Sequence, residues 1–292
     1  VSVPVGSAVS GGKIYVPSGY SVSGAGSYTW EVDATPPTMP TLDASSYETK
    51  ITSYDALVPG GSPSNKTYGG TTVVTLTGNT ITGLNITVQN NAVIKGYGTL
   101  AAQRYIYLNN TAVISPEGGA IVLTAGWGIN VANSARVRKG AEMYSRSLPV
   151  GVMNNATVEG SLLMSRSMIS VIQGATVSRE STLYAPATAS TIIANSAKIG
   201  GSIIANSGVS LIGGTGQALK FTGLLYVPTN IVYVNQVDFK GAMVADRFNS
   251  DRITNSRIQF DSSYLPGTAP PGIPGGGGGS AEVGSSNWRE FY

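Results

Sequence analysis

The sequence contains no cysteine and no histidine. Disulfide scaffolds, thiolate or imidazole metal sites, thiol nucleophiles and every triad that needs a histidine are thereby excluded. Charge is also scarce, at 11% of the 292 residues, against about 25% in an average globular chain. With 41% hydrophobic residues, the composition is far from the polar, highly charged signature of disorder. The 18 Lys and Arg leave a net charge of only +3 and form no runs. Nucleic acid would require a basic stripe with interleaved aromatics, so none is expected as a partner. No apolar run reaches the roughly 18 residues of a membrane span, so no membrane insertion is expected. The chain opens on Val1 rather than Met, without a signal-peptide pattern, as a mature or trimmed piece would.

What is present in excess is glycine (38) and proline (15), too aperiodic for collagen, together with a strong internal repeat. Segments of the form apolar-x-apolar-x-Asn-small-Ala-x-Val/Ile run from Ile86 to Ile94, Ile106 to Ile114, Ile129 to Val137, Val150 to Val158, Ile169 to Val177 and Thr191 to Ile199. Their Asn position falls at Asn90, Asn110, Asn133, Asn154, Gln173 and Asn195, then more weakly at Gly213, Asn235 and Asn255. A second row agrees: Leu123, Met143, Leu163, Leu183, Ile203 and Met243 each precede a small residue by two, with Leu225 in the same row before a turn displaced to Val227. Short β runs at about 20-residue spacing, separated by Gly or Asn turns, predict an all-β, single-stranded parallel β-helix. In such a solenoid alternate residues point inward and stack on the equivalent position of the next coil. The turn Asn tolerates the left-handed conformation and can bond the next Asn up the stack.

The solenoid domain is expected over 1–265, with one early coil at Val1 to Val16 and a long Pro/Tyr-rich inserted loop at about 17–72 near the N-terminus. That loop carries Tyr20, Tyr28, Trp30, Tyr47, Tyr54 and Tyr68, with a short helical turn expected at Ala44 to Tyr54. Its aromatics seek burial and argue for order. Residues 266–292 form a Pro/Gly-rich linker and an aromatic tail ending in Trp288, Phe291 and Tyr292.

Enzymatic β-helices need clustered carboxylates, a Ca²⁺ cage, or a basic residue beside acids. The coil acids Glu117, Glu142, Glu159 and Glu180 do not share one row. Glu142 and Glu159 are close enough in register to approach, yet are read as solvated charge paired with basic neighbours. Asp246 is assigned a turn or capping role. No P-loop, GxSxG or HExxH occurs, so no catalytic residue, cofactor or metal ligand is assigned. A Ca²⁺ held by backbone carbonyls with Asp246, Asp251 or Asp261 stays open. Arg146 and Arg166 sit one coil apart, and stacked arginines need carboxylates, for which Glu142, Glu159 and Glu180 are the candidates.

The outward neighbours of the Leu123 row are Thr124, Tyr144, Met164, Tyr184, Ile204, Tyr226 and Val244. A bare apolar strip of this kind is rare on a soluble monomer. Two explanations compete: a cover made by the loop or the C-terminus, or a flat binding platform for an extended glucan, with both possible if the loop moves aside. The candidate substrate-binding residues are Tyr144, Met164, Tyr184 and Tyr226 on the outer face, with Trp30, Tyr47, Tyr54 and Tyr68 on the loop.

The ending Lys240-Gly-Ala-Met-Val-Ala-Asp, then Ile258-Gln-Phe-Asp-Ser-Ser-Tyr-Leu, a Pro/Gly linker and Trp288-Arg-Glu, resembles the C-terminal region of PilX-like proteins encoded with type IV pili. Within that group, the Tyr-rich excursion and the absence of Cys resemble the tāpirins, surface adhesins of thermophilic plant-biomass-degrading bacteria. The resemblance implies a non-catalytic, extracellular, cell-surface protein that binds cellulose without hydrolysing it. The pilin-like N-terminal helix of PilX-like proteins has no counterpart here. The rival expectations are a polysaccharide lyase or glycoside hydrolase on the same fold, and a structural pilus or envelope component whose strip packs on a protein partner.

Overall fold

The computed structural model describes residues 43–186, 191–214, 217–248, 256–260 and 263, with backbone alone at 191, 246–248 and 260. It also gives the backbone of four strands, Ser2–Val3, Lys13–Pro17, Ser23–Gly24 and Thr29–Asp33. Among these, Lys13–Pro17 pairs in parallel with Thr29–Asp33, and Ser2–Val3 with Ser23–Gly24. The expected C-terminal tail, Asp246, Asp251 and Asp261 as side chains, and the side chain of Trp30 lie outside the described residues.

From Lys66 onward the chain is a parallel β-solenoid of about 9 turns with about 20 residues per turn. Each coil contributes three runs. One is illustrated by Val113–Ile114 paired with Arg136–Val137, a second by Ile121–Ala125 on Ala141–Ser145, and a third by Ile129–Val131 on Val150–Val152. Alternation within a run sends one residue in and the next out. The inner row of the second run keeps the expected register: Leu123, Met143, Leu163, Leu183, Ile203, Leu225 and Met243 are successive partners. Near the C-terminal end aromatic stacking replaces aliphatic contact, with Phe221 and Phe239 rings 4.9 Å apart and 9° from parallel.

The corners explain the asparagines. Asn90–Asn91, Asn110–Thr111, Asn133–Ser134 and Asn154–Asn155 each place two consecutive residues at φ between 50 and 68°, the left-handed region that most side chains avoid. Asn partly offsets this by bonding along the stack: Asn110 Nδ2 donates to Asn90 Oδ1 at 3.2 Å, and Asn154 Nδ2 to Asn133 Oδ1 at 3.2 Å. Toward the C-terminal coils only the second residue of the corner pair keeps positive φ, at Ser196 and Gln236, and Asn195 and Asn235 do not. At another corner Gly223 and Gly241 hold φ of 141° and 143°, and a Cβ on Gly241 would lie 1.8 Å from the Gly223 carbonyl oxygen. Only glycine lets the coils approach there.

Among its described residues the inserted segment contains one α-helix, α1 (Ser45–Leu57), longer than the helical turn expected. The stack resumes before residue 72. Tyr68, expected on the loop, belongs to the strand Lys66–Tyr68, which pairs with Ile86–Val88, and it packs half-buried against the solenoid core. The pairing puts Lys66 one 20-residue repeat before Ile86, so this strand opens the first coil of the stack.

Candidate functional site

The seven-residue step from Tyr47 to Tyr54 along α1 spans about 10 Å. Two coils, from Tyr184 to Tyr144, also span about 10 Å. The helix therefore lays Tyr47, Ile51 and Tyr54, spaced i, i+4, i+7, onto the outward row of the second run. Tyr47 stacks on Tyr184 with ring centroids 4.3 Å apart, and Tyr54 meets Tyr144 at 6.5 Å. These residues form a second hydrophobic cluster with Met164, Ile204, Leu224 and Tyr226, separate from the solenoid core.

Polar contacts lock the helix in place. Tyr144 donates its hydroxyl proton to Asp55 Oδ1 at 2.8 Å, and Tyr184 donates to Glu48 Oε1 at 2.8 Å. In the other direction, Tyr54 donates to Glu142 Oε2, which also accepts from Lys50 Nζ at 2.7 Å. Arg146 and Arg166 converge on Asp55, at 2.7 and 3.2 Å. Their partner is thus a helix carboxylate and not Glu142, Glu159 or Glu180, because the helix brings Asp55 between two arginines one coil apart. Burial drives the phenols up: Tyr226 reaches about 12, and Tyr47, Tyr54, Tyr144 and Tyr184 are raised as well, the last three also by their carboxylate neighbours.

The expectation of an exposed platform therefore needs correction. Tyr144, Met164, Tyr184 and Tyr226 are all 0% exposed, and Tyr47 and Tyr54 face them from α1. The cover, rather than the bare strip, is what the chain builds, because an apolar row of this length would otherwise lie against water. Glu142 is likewise part of the contact with the helix, both of its oxygens accepting from Lys50 and one also from Tyr54.

A different set of aromatics is partly open to solvent. In the strand Tyr105–Asn109, Ile106 and Leu108 point into the core while Tyr105 and Tyr107 point outward. Their rings lie 5.3 Å apart. On the next coil Trp127 is 40% exposed and meets Tyr105 edge-on at 5.3 Å. The Arg104 guanidinium lies 4.7 Å over the Trp127 ring, a cation–π contact that fixes the indole plane. Gly126 permits this corner: a Cβ there would lie 2.3 Å from the Gln103 carbonyl oxygen and 3.2 Å from Val58, just past the end of α1. Gln103 Nε2 donates to the Gly61 carbonyl at 2.8 Å, fastening the chain that follows the helix. Leu148, on the following coil, is also exposed.

Arg104, Tyr105, Tyr107 and Trp127 were not among the sequence-derived candidates. The signal was present, since the same in–out alternation applied to the Ile106 repeat puts Tyr105 and Tyr107 outside. Among the described residues no group of three acidic side chains is placed to hold a metal ion, and no helix is long and apolar enough to cross a membrane. No family model, no curated protein and no solved structure matches this chain.

Proposed function

We propose that this β-solenoid is a non-catalytic adhesin that binds insoluble plant polysaccharide, cellulose in the first instance, in an extracellular, cell-surface setting. The observation that carries this reading is the contiguous group of exposed Trp127 and partly exposed Tyr105 and Tyr107 where the second run of a coil turns into the third, braced by Arg104. Aromatic rings accept the C–H faces of sugar rings, and side chains already braced on a rigid scaffold bind with a small ordering cost. The resemblance to PilX-like and tāpirin adhesins points the same way. In this reading the tyrosines beneath α1 are structural and contribute nothing to binding while the helix is docked.

The test is retention of the purified chain on microcrystalline cellulose, xylan and chitin, with reducing-sugar release assayed in the same tubes. Retention on cellulose without sugar release is expected, and Trp127→Ala should weaken it by more than about tenfold, as expected when a central aromatic anchor is removed. Tyr184→Phe should leave retention intact. Undiminished retention of Trp127→Ala would sink the patch, and sugar release would sink the non-catalytic assignment. A second reading, a pilus or envelope component, draws on the partly exposed Met153, Met168, Ile172, Ile193 and Ile212 on the outer side of the third run. It gains if no polysaccharide retains the chain and Ile193→Lys abolishes capture of a cell-surface protein.

A further inference from the structure

Stacking sorts the charges of this chain in a way that their order along the sequence hides. In the first run, Arg136 pairs with Thr157, Thr157 with Thr176, Thr176 with Lys198, Lys198 with Lys220, Lys220 with Asp238 and Asp238 with Arg257. The neighbours Val137, Val158, Val177, Ile199, Phe221 and Phe239 are core residues, so this row faces outward. Arg138 and Lys240 stand two residues further along their coils and face outward as well. At about 4.8 Å per coil, the row from Arg136 to Arg257 spans roughly 30 Å. The third run is the opposite: its strands from Tyr105 to Asn235 carry no charged residue.

The cations of the first run are not neutralised in place. Arg136, Arg138, Lys198, Lys220 and Arg257 are exposed. Lys139, at the nearby corner, is matched by Glu180 at 2.5 Å. Arg136, Arg138, Lys198 and Lys220 make no such ion pair among the described residues. Two carboxylates share the face from Arg136 onward: Glu159, one coil beyond Arg138, and Asp238, half-buried with Oδ1 shut away from solvent. The fold has no need of this arrangement. Like charges on directly paired residues, as at Lys198 and Lys220, destabilise a sheet. Threonine, which fills the same row at Thr157 and Thr176, suits an outer strand position better than lysine. Both lysines also lie on interior rungs, where no open edge has to be blunted. A row of uncompensated cations here is accounted for by an anionic partner.

We propose that the outer face of the first run binds a linear anionic polysaccharide, an unbranched chain with one carboxylate per sugar ring, laid along the solenoid axis. An extended pyranose chain advances by nearly one coil rise per ring. Lys198, Lys220, Lys240 and Arg257 put a cation on each successive coil, so ring carboxylates and coil cations run in step. Duplex nucleic acid carries a charge every ~1.7 Å, far denser than one cation per coil. The outer positions of these strands also offer no aromatic ring for a base to stack on, and no Trp, Phe or Leu to enter a lipid surface. The face shares no residue with the Tyr105–Trp127 patch and does not depend on the cellulose reading.

The experiment is retention of the full chain on immobilised polygalacturonate, with the same polymer fully methyl-esterified as the uncharged control. Retention is expected at about 0.01 M salt and its loss at about 1 M, where the Debye length falls from ~30 to ~3 Å. The esterified polymer should hold the chain at least about tenfold less well. Lys198→Gln combined with Lys220→Gln should weaken retention about tenfold, or roughly threefold per exposed charge, with the thermal midpoint equal or higher. Lys198→Arg combined with Lys220→Arg should keep it. Trp127→Ala should leave it unchanged even where cellulose retention is lost, so the two proposals fail separately. The inference is overturned by equal retention on the esterified polymer or by a double Gln variant that binds as well as the parent. Tighter binding to single-stranded DNA or to phosphatidylglycerol vesicles than to polygalacturonate would overturn it too.

Discussion

Tyr144 and Tyr184 stand on the outer side of the second run of each coil, and Tyr105 and Tyr107 on the outer side of the third. Both pairs are placed by the same period-two alternation, and both would be exposed if the solenoid were the whole molecule. One pair ends at 0% exposure beneath α1, and the other stays partly exposed beside Trp127. The difference lies in what the inserted segment can reach. A seven-residue helical step and two coil rises are nearly equal in length, so Tyr47 and Tyr54 come into contact with alternate rungs. Glu48 and Asp55, seven residues apart as well, then meet the hydroxyls of Tyr184 and Tyr144 in turn. The lesson is that an outward aromatic row on a solenoid is a site only where no neighbouring segment is commensurate with it.

The comparison is broken most severely by removing the packing that holds the cover. Ile51, fully buried between Tyr47 and Tyr54, should cost about 2–5 kcal/mol of docking stability when changed to Ala. Hydrogen exchange should show α1 amides losing protection, with the amides of Tyr105–Asn109 unchanged. Alkaline titration sharpens the comparison next. A phenol whose pKa is raised in the folded state contributes stability that is complete below the unfolded value of about 10 and is lost as pH rises through the folded one. With Tyr226 at about 12 and Tyr47, Tyr54, Tyr144 and Tyr184 also raised, the cover should hold through pH 10 and loosen at and above pH 12. Phenolate absorbance and helical circular dichroism should change together there.

A smaller effect is expected from Asp55→Asn, which weakens the contacts to Arg146 and Arg166 at partly exposed positions. About 1 kcal/mol is expected, diminishing in high salt, and denaturant titration at two ionic strengths reads it. Smallest, and indifferent to which face is covered, is the corner ladder: Asn110→Ala at φ 50° should cost about 1 kcal/mol, and Asn110→Gly should recover most of it. A destabilisation equal for Ala and Gly would show that the Asn90 bond, rather than the backbone conformation, sets the cost.

Much of this architecture was readable in advance. The Leu123-to-Met243 register and the turn asparagines follow from a local pattern repeated every coil, and each repeat restates the same constraint. The loss of positive φ at Asn195 and Asn235 was not readable, because a conformational change at one turn residue leaves the flanking apolar pattern intact. Nor was the partner of Arg146 and Arg166. Charge spacing along the coils pointed to glutamates on the stack, whereas Asp55 lies about 90 residues earlier in the chain. Tyr68 follows a proline-rich stretch and reads as loop, and only pairing with Ile86–Val88 places it in the first coil. The open patch was legible but passed over, since Tyr105 and Tyr107 obey the same alternation that drew attention to Tyr144 and Tyr184.

The amino-acid sequence by itself determined the parallel solenoid, its coil length and which residues face inward, because stacking repeats one local rule and needs no distant information. Only the tertiary structure decided which outward aromatics are buried and which meet the solvent. That choice rests on contacts between residues roughly 90 to 136 positions apart, such as Tyr54 with Glu142 and Tyr184 with Glu48, which depend on the rise of a helix matching the rise of a coil.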